Sequence, residues 1–276
     1  MVKKYLQNGL IGATAVVIAG ARLVPGTEHN GPVITAAAKI VAGDSTRAAK
    51  ALNATAVVTR ATESTVLLNT NSALTALQAA VRPLSHPKAL ETAFRSYFAY
   101  KAQHSDEVRK PYLYFVDYGL ASTEKRGYVF DMDKLEIVDG PFTVAHGRGS
   151  SQSQYGVPTR FSNRSGAATT SLGLYLTQET YGFSGHAAGT LYHSIGLRLK
   201  GLSAGWNDNA RARGVVAHGA PYVTPTKAGR SQGCPAMEQS RAARLLPKIS
   251  NGAMVFLFAP NADWMNDDPW VVASAN

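Results

Sequence analysis

Cysteine occurs once in this chain of 276 residues, at position 234, within Gly229-Arg230-Ser231-Gln232-Gly233-Cys234-Pro235-Ala236-Met237. Pro235 followed by a helical pattern predicts a helix start, with Pro235 near the first helical position and Cys234 at or beside the cap. At such a place unpaired N–H groups and the positive end of the helix dipole would favour the thiolate. The N–H groups of Gly233 and Cys234 would converge on an oxyanion, and Gly233 would let a substrate approach closely. A thiol nucleophile needs a base, and the base needs an orienting partner. His218 ends a predicted strand upstream of the cysteine, and the carbonyl of Gly219 is the candidate to hold its ring in one tautomer. The quartet Val216-Ala217-His218-Gly219 has a twin in Val144-Ala145-His146-Gly147. His146 is therefore a rival base and a candidate to line the cleft. Arg230 and Arg148 flank the two motifs and could bind carboxylates through both guanidinium arms. Ser231 could donate to substrate or stabilise the turn.

Blander readings stand beside these. Cys234 could be a buried, inert thiol. His186, His193 and His218 invite a zinc reading, but one cysteine and no helical His pair argue against a metal, and none is expected. Asn207-Asp208-Asn209 lacks the later Gly and acidic positions of a calcium loop and reads as a turn.

The elements that must position these residues follow from periodicity. Leu90, Ala93, Phe94, Tyr97, Phe98 and Lys101 recur at helical spacing, which predicts an amphipathic helix with a broad aromatic face. Short strands are predicted at Tyr112–Tyr118, Gly127–Asp131, Lys134–Val138, Leu172–Thr177, Leu191–Leu199, Val215–His218 and Ala253–Phe258. A second helix is expected around Glu238–Ile249. The fold class is mainly β (α+β). Residues 22–82 carry no aromatic side chain, build a poor core and read as an Ala/Thr-rich linker with some weak helix. A domain over 83–260 and a tail over 261–276 complete the chain.

With 45% apolar residues, 28 Lys+Arg against 18 Asp+Glu and a net charge of +10, a disordered polyelectrolyte is excluded. So is an internal disulfide scaffold. The start, Met1-Val2-Lys3-Lys4 followed by Leu10–Gly20 and the small-x-small Ala19-Gly20-Ala21, reads as a secretory signal over 1–21, the alternative being an uncleaved membrane tether. The basic residues are scattered, so the charge suits an anionic envelope polymer, and no nucleic acid is expected as a partner.

The stretch Val215–Ala220 together with Gly229–Pro235 resembles the active-site signature of the murein L,D-transpeptidase catalytic domains, the YkuD-like family, where His-Gly precedes Ser-x-Gly-Cys. The likeness extends through Ser122–Arg126, Val144–Ser150, Phe161–Asn163, Thr170–Gly173 and Gly205–Ala210. Many members have His where Gln232 stands; Gln relays no proton, which leaves Gln232 only loop support. The resemblance implies a β-sandwich with a helix before it and another after the cysteine. It implies that Cys234 attacks the carbonyl between the L-centre of meso-diaminopimelate and the terminal D-alanine of a peptidoglycan stem peptide, in the periplasm or cell envelope, without a cofactor. His218 protonates the departing D-alanine, and an amine acceptor resolves the acyl-enzyme. Carbapenems would be expected to label the thiol. Two alternatives remain: an L,D-carboxypeptidase or endopeptidase using water in place of the amine, and a non-catalytic wall-binding module.

Overall fold

A computed structural model describes residues 60–272; the expected signal and most of the expected linker lie outside the described residues. Residues 60–77 form a helix, α1, whose Val66, Thr70, Ala73 and Leu77 are buried at spacings of four, three and four. That stripe turns the weak helix expected there into an element with a committed inner face. α2 (Ala89–Gln103) buries the expected aromatic face, including Phe94, Tyr97 and Phe98. Phe94 meets Phe130 edge to face, with centroids 5.3 Å apart.

The strands are β1 (Tyr112–Asp117), β2 (Gly127–Asp131), β3 (Glu136–Phe142), β4 (His146–Gly147), β5 (Gly173–Ala187), β6 (Thr190–Gly201), β7 (Val216–Gly219), β8 (Arg230–Ser231), β9 (Ala236–Met237) and β10 (Met254–Phe258). Eight of them form one mixed sheet in the order β3-β2-β1-β10-β5-β6-β7-β9, and β4 pairs with β8 in a small second sheet. The expected sheet-rich α+β class stands. β10 and β2 are buried at every position, and β1 at all but its first. Their runs of Val, Leu and Phe without polar alternation suit strands covered on both faces. The helices α3 (Gln239–Ile249), α4 (Ala262–Asp267) and α5 (Pro269–Val272) follow the cysteine.

Two stretches differ from expectation. Residues 261–272 are no loose tail: Trp264 is fully buried against Phe256 and Phe258, and its indole N–H donates to Asp268. The strands expected at Leu172–Thr177 and Leu191–Leu199 are two ends of one long ribbon, β5–β6, paired from Tyr175↔Gly201 out to Ala187↔Thr190. Its turn has positive φ at both Ala188 and Gly189, the mirror-image form whose twist matches a hairpin. The root of the ribbon is core, whereas its outer half alternates between half-buried and exposed. Among the described residues no helix is long and apolar enough to cross a membrane.

Candidate active site

The histidine and the cysteine come together through strand pairing. β7 runs antiparallel to β6, with His218 opposite Gly196, and parallel to β9, with His218 opposite Ala236. Parallel neighbours need a crossover, and here the connection between β7 and β9 carries the cysteine. Cys234 lies two residues before Ala236, half-buried. Its sulfur takes a backbone hydrogen bond from Val216 and lies 3.9 Å from the carbonyl oxygen of Gly214. It therefore sits beside the residue two positions before His218 on the same strand.

The cap expected at Cys234 is not there. Ala236 and Met237 are taken into the sheet as β9, and α3 begins only at Gln239 after Glu238. Pro235 precedes a strand, so no helix dipole acts on the thiol. Burial pushes the Cys234 thiol above its usual range; the Val216 N–H and the Arg213 guanidinium pull the other way. Burial thus favours the neutral thiol, and a role as nucleophile would require a base to take its proton.

His218 is buried, and its Nδ1 is 3.0 Å from the carbonyl oxygen of Gly219. A carbonyl only accepts, so Nδ1 carries the proton and Nε2 keeps its lone pair. This is the tautomer a base requires. The ring of Phe183, from the outer half of β5, stacks on the imidazole at 4.1 Å with an 18° tilt. Burial pushes the His218 pKa down to about 4, which keeps the imidazole neutral and able to accept a proton at neutral pH. Phe183 was not foreseen: it sits in a stretch whose period-two pattern, Tyr181, Phe183 and Ala187, is thinned by Gly182 and Gly185.

The loop before the cysteine is held by Ser231. Its hydroxyl accepts from the Gly233 N–H at 3.0 Å and donates to the Cys234 carbonyl at 2.7 Å. These contacts match the turn-stabilising one of the two readings of Ser231. The Gly233 N–H is spent inside the loop, leaving Cys234 N–H as the backbone donor without an internal acceptor among the described residues. Gly233 itself is required for shape. Its φ is +128°, and a β-carbon there would stand 2.7 Å from the Thr169 carbonyl oxygen. The close approach that glycine permits is therefore to backbone.

His146 is also corrected. It is fully buried and lines no cleft. Its Nδ1 lies 3.0 Å from an Arg126 guanidinium nitrogen, and guanidinium only donates, so Nδ1 is the unprotonated nitrogen. Burial first, then Arg126 and Arg230, push its pKa down to about 3. Through β4–β8 pairing, the Arg148 N–H bonded to the Ser231 carbonyl and the contact of Gly147 with Gly233, this segment backs the cysteine loop from behind. Identical quartets thus hold opposite surroundings.

Two cavities flank the loop. The thiol opens into one of about 210 Å³ lined by Cys234, Gln232, Gly214, Arg213, Gly166 and Ala168. Arg213 was not foreseen; the only signal is a cation followed by Gly214 just before β7. The other cavity, about 750 Å³, is lined in part by Arg148, Arg230, Tyr192, Tyr222 and His186, so the two candidate carboxylate-binding arginines share one wall. Arg230 also reaches the carbonyls of Ser151 and Gln152, and Arg148 donates to the Gln232 side chain. The Asn207 side chain holds the backbone of Ser203, Leu172 and Leu174, as a turn residue would.

The arrangement supplies a thiol, a neutral imidazole in the base tautomer, a backbone donor and a nearby guanidinium, the parts of nucleophilic acyl transfer. The family model of the L,D-transpeptidase catalytic domain matches residues 82–258. No curated protein matches the chain. Solved structures it resembles include an L,D-transpeptidase from Mycobacterium smegmatis, at 15% identity over 54% of this chain and 59% of that one, with a TM-score of 0.31. Another is an L,D-transpeptidase from Xylanimonas cellulosilytica, at 12% identity over 54% and 61%, with a TM-score of 0.32. A third is an L,D-transpeptidase in complex with imipenem, at 13% identity over 54% and 59%, with a TM-score of 0.31. The chain spans about 60% of the length of these structures. With both the histidine strand and the cysteine loop inside the matched stretch, which covers more than half of the sequence, the chain belongs to the L,D-transpeptidase catalytic-domain family.

Proposed function

We propose that this chain is an exported peptidoglycan L,D-transpeptidase of the cell envelope, entering by its N-terminal segment as a cleaved signal or a tether. Cys234 is its nucleophile, His218 its base and Gly219 the orienting carbonyl. The observation that carries this is the His218 tautomer. With Nδ1–H donated to Gly219, only Nε2 is free to take a proton, and it does so from a strand whose neighbouring backbone touches the sulfur.

The steps follow. Nε2 takes the thiol proton as Sγ attacks the carbonyl before the terminal D-alanine of a tetrapeptide stem. The oxyanion is met by the Cys234 N–H. The C–N bond breaks, the imidazolium returns its proton to the departing amine, and a thioester remains. An amine of a second stem then attacks the thioester, gives its proton to His218, and the sulfur leaves and is reprotonated. No cofactor enters.

Tetrapeptide-bearing muropeptides incubated with the purified protein test this. Cross-linked dimers or exchanged terminal residues are expected, and both should vanish in Cys234→Ala and His218→Ala. Tripeptides alone would assign the chain to L,D-carboxypeptidase chemistry through the same acyl-enzyme. No product, together with no carbapenem adduct on Cys234, would leave a wall-binding module. Loss of acylation in His146→Ala but not in His218→Ala would reverse the assignment of the base.

A further inference from the structure

Arg213 stands out because, among the described residues, its charge has no counterion. It is half-buried at the end of the loop that leads into β7. One terminal nitrogen donates to the Ser162 carbonyl at 2.8 Å and the Ser171 hydroxyl at 3.2 Å; the other donates to the Thr169 carbonyl at 2.9 Å. All three acceptors are neutral. Among the described residues no carboxylate forms an ion pair with it, although Arg211, two positions earlier, is paired with Glu179. The guanidinium is thus fixed in orientation by backbone while its charge stays unspent.

It is fixed beside the nucleophile. Arg213 and Cys234 line the same cavity of about 210 Å³. One terminal nitrogen lies 3.8 Å from where a Gly233 β-carbon would stand, so it borders the Gly233–Cys234 peptide. At about 30 Å³ per water, the cavity of about 210 Å³ holds the equivalent of about seven waters, room enough for one small amino acid beside the thiol. An immobilised guanidinium beside such a space suits an anion, and the N–H groups it has left, on Nε and on the nitrogen bonded to Thr169, can still meet a carboxylate.

We infer that Arg213 binds the free terminal carboxylate of the residue released from the acyl donor, and so selects stems that end one residue beyond the bond Cys234 attacks. This rests on the proposed acyl-enzyme reading, in which the thiol attacks a peptide bond followed by a single residue, whether an amine or water then resolves the thioester. That residue's carboxylate lies one Cα beyond the scissile nitrogen, so both ends of the leaving group fall within one small cavity. An amide at that position replaces the charge with a neutral group, and a further residue carries the carboxylate away from the fixed guanidinium.

Binding separates this role from catalysis. In the Cys234→Ala protein, calorimetry would compare a free-acid tetrapeptide stem ending in D-alanine with the same stem carrying a C-terminal amide. The free acid is expected to bind about tenfold tighter or more, the strength of a hydrogen-bonded charge pair. In Cys234→Ala with Arg213→Gln the ratio should fall to about one, with affinity for the amide unchanged. Arg213→Lys, which keeps the charge and loses the fork, should keep part of the ratio, and it carries the test if the Gln variant does not fold. Equal affinities in the Arg213 protein, no binding of either peptide, or an equal loss for both peptides in the Arg213 variants would overturn the assignment. Unaltered protein that turns over tetrapeptides without the affinity ratio overturns the Arg213 role alone; protein that turns over nothing overturns the acyl-enzyme reading beneath it.

Discussion

The buried pair of Arg126 and His146 gives a quantitative prediction about acid stability. His146 is neutral in the fold because burial and the adjoining guanidinium both oppose a second positive charge. The unfolded chain has no such constraint and titrates near the ordinary value of about 6.5. As pH falls below that value the unfolded state takes the proton first, so stability is complete above about 6.5 and drains away toward about 3. A displacement of roughly three and a half units corresponds to about 5 kcal/mol over the full window, or about 1.4 kcal/mol per pH unit within it. Against a typical domain stability of about 5–15 kcal/mol, one side chain then accounts for much of the acid sensitivity. The perturbation is His146→Asn, whose carbonyl oxygen can still accept from Arg126 but does not titrate. The variant is expected to be less stable at pH 7.5 by about 1–3 kcal/mol for the lost ring volume. Its urea-unfolding free energy should nevertheless fall less steeply between pH 6 and 4.5, by about 1.4 kcal/mol per unit. Asp117 and Asp268, whose pKa values burial raises, act with the opposite sign, gaining stability on acidification. They are common to both proteins and cancel in the difference. Parallel pH profiles for the two proteins would refute the reasoning.

Two further outcomes follow from the site. Gly233→Ala forces a side chain onto a backbone at φ +128° and into the Thr169 carbonyl; with about 1–3 kcal/mol of conformational strain alone, it should lower the melting temperature and abolish acylation of Cys234, read by mass spectrometry after incubation with a carbapenem. Phe183→Ala uncovers the His218 ring, so the imidazole pKa should rise from about 4 toward its ordinary value, shifting the acid limb of the pH–rate profile upward; an unmoved limb would mean that the stacking ring does not set the pKa.

What the chain discloses without its fold divides along a physical line. The candidate pair Cys234 and His218, the contact of His218 with the Gly219 carbonyl and most of the strands were legible, because residue type and period-two patterning are local properties. The cap at Cys234 was misread because Pro235 signals a helix start only when nothing else claims the next residues, and β7 claims Ala236 and Met237. The difference between His146 and His218 was invisible in principle: the same four letters surround each, and what separates them is Arg126 on one side and Phe183 on the other, both distant in sequence. Arg213 escaped notice for a related reason, since a surface arginine and one held by two carbonyls and a hydroxyl look alike in a string of letters. The outer half of the β5–β6 ribbon escaped notice because its alternation, Tyr181, Phe183 and Ala187 against Gly182, Ser184 and His186, is weakened by glycine and faces no core.

The pairing of β7 with β9 divides the loop between His218 and Cys234 into parts with different tolerance for changes in length. Residues 224–227 form a turn closed on itself by Thr224 and Lys227, so extra residues there would bulge into solvent and leave the spacing of the site alone. Residues 232–235 have no such slack. They bridge β8, tied to β4, and β9, tied to β7, with Ser231 fastened across them. One residue added or removed there would put Cys234 out of step with Val216 while every side chain of the site was still present. Homologues and engineered variants can therefore be expected to differ in length at the first segment and to keep a fixed count in the second.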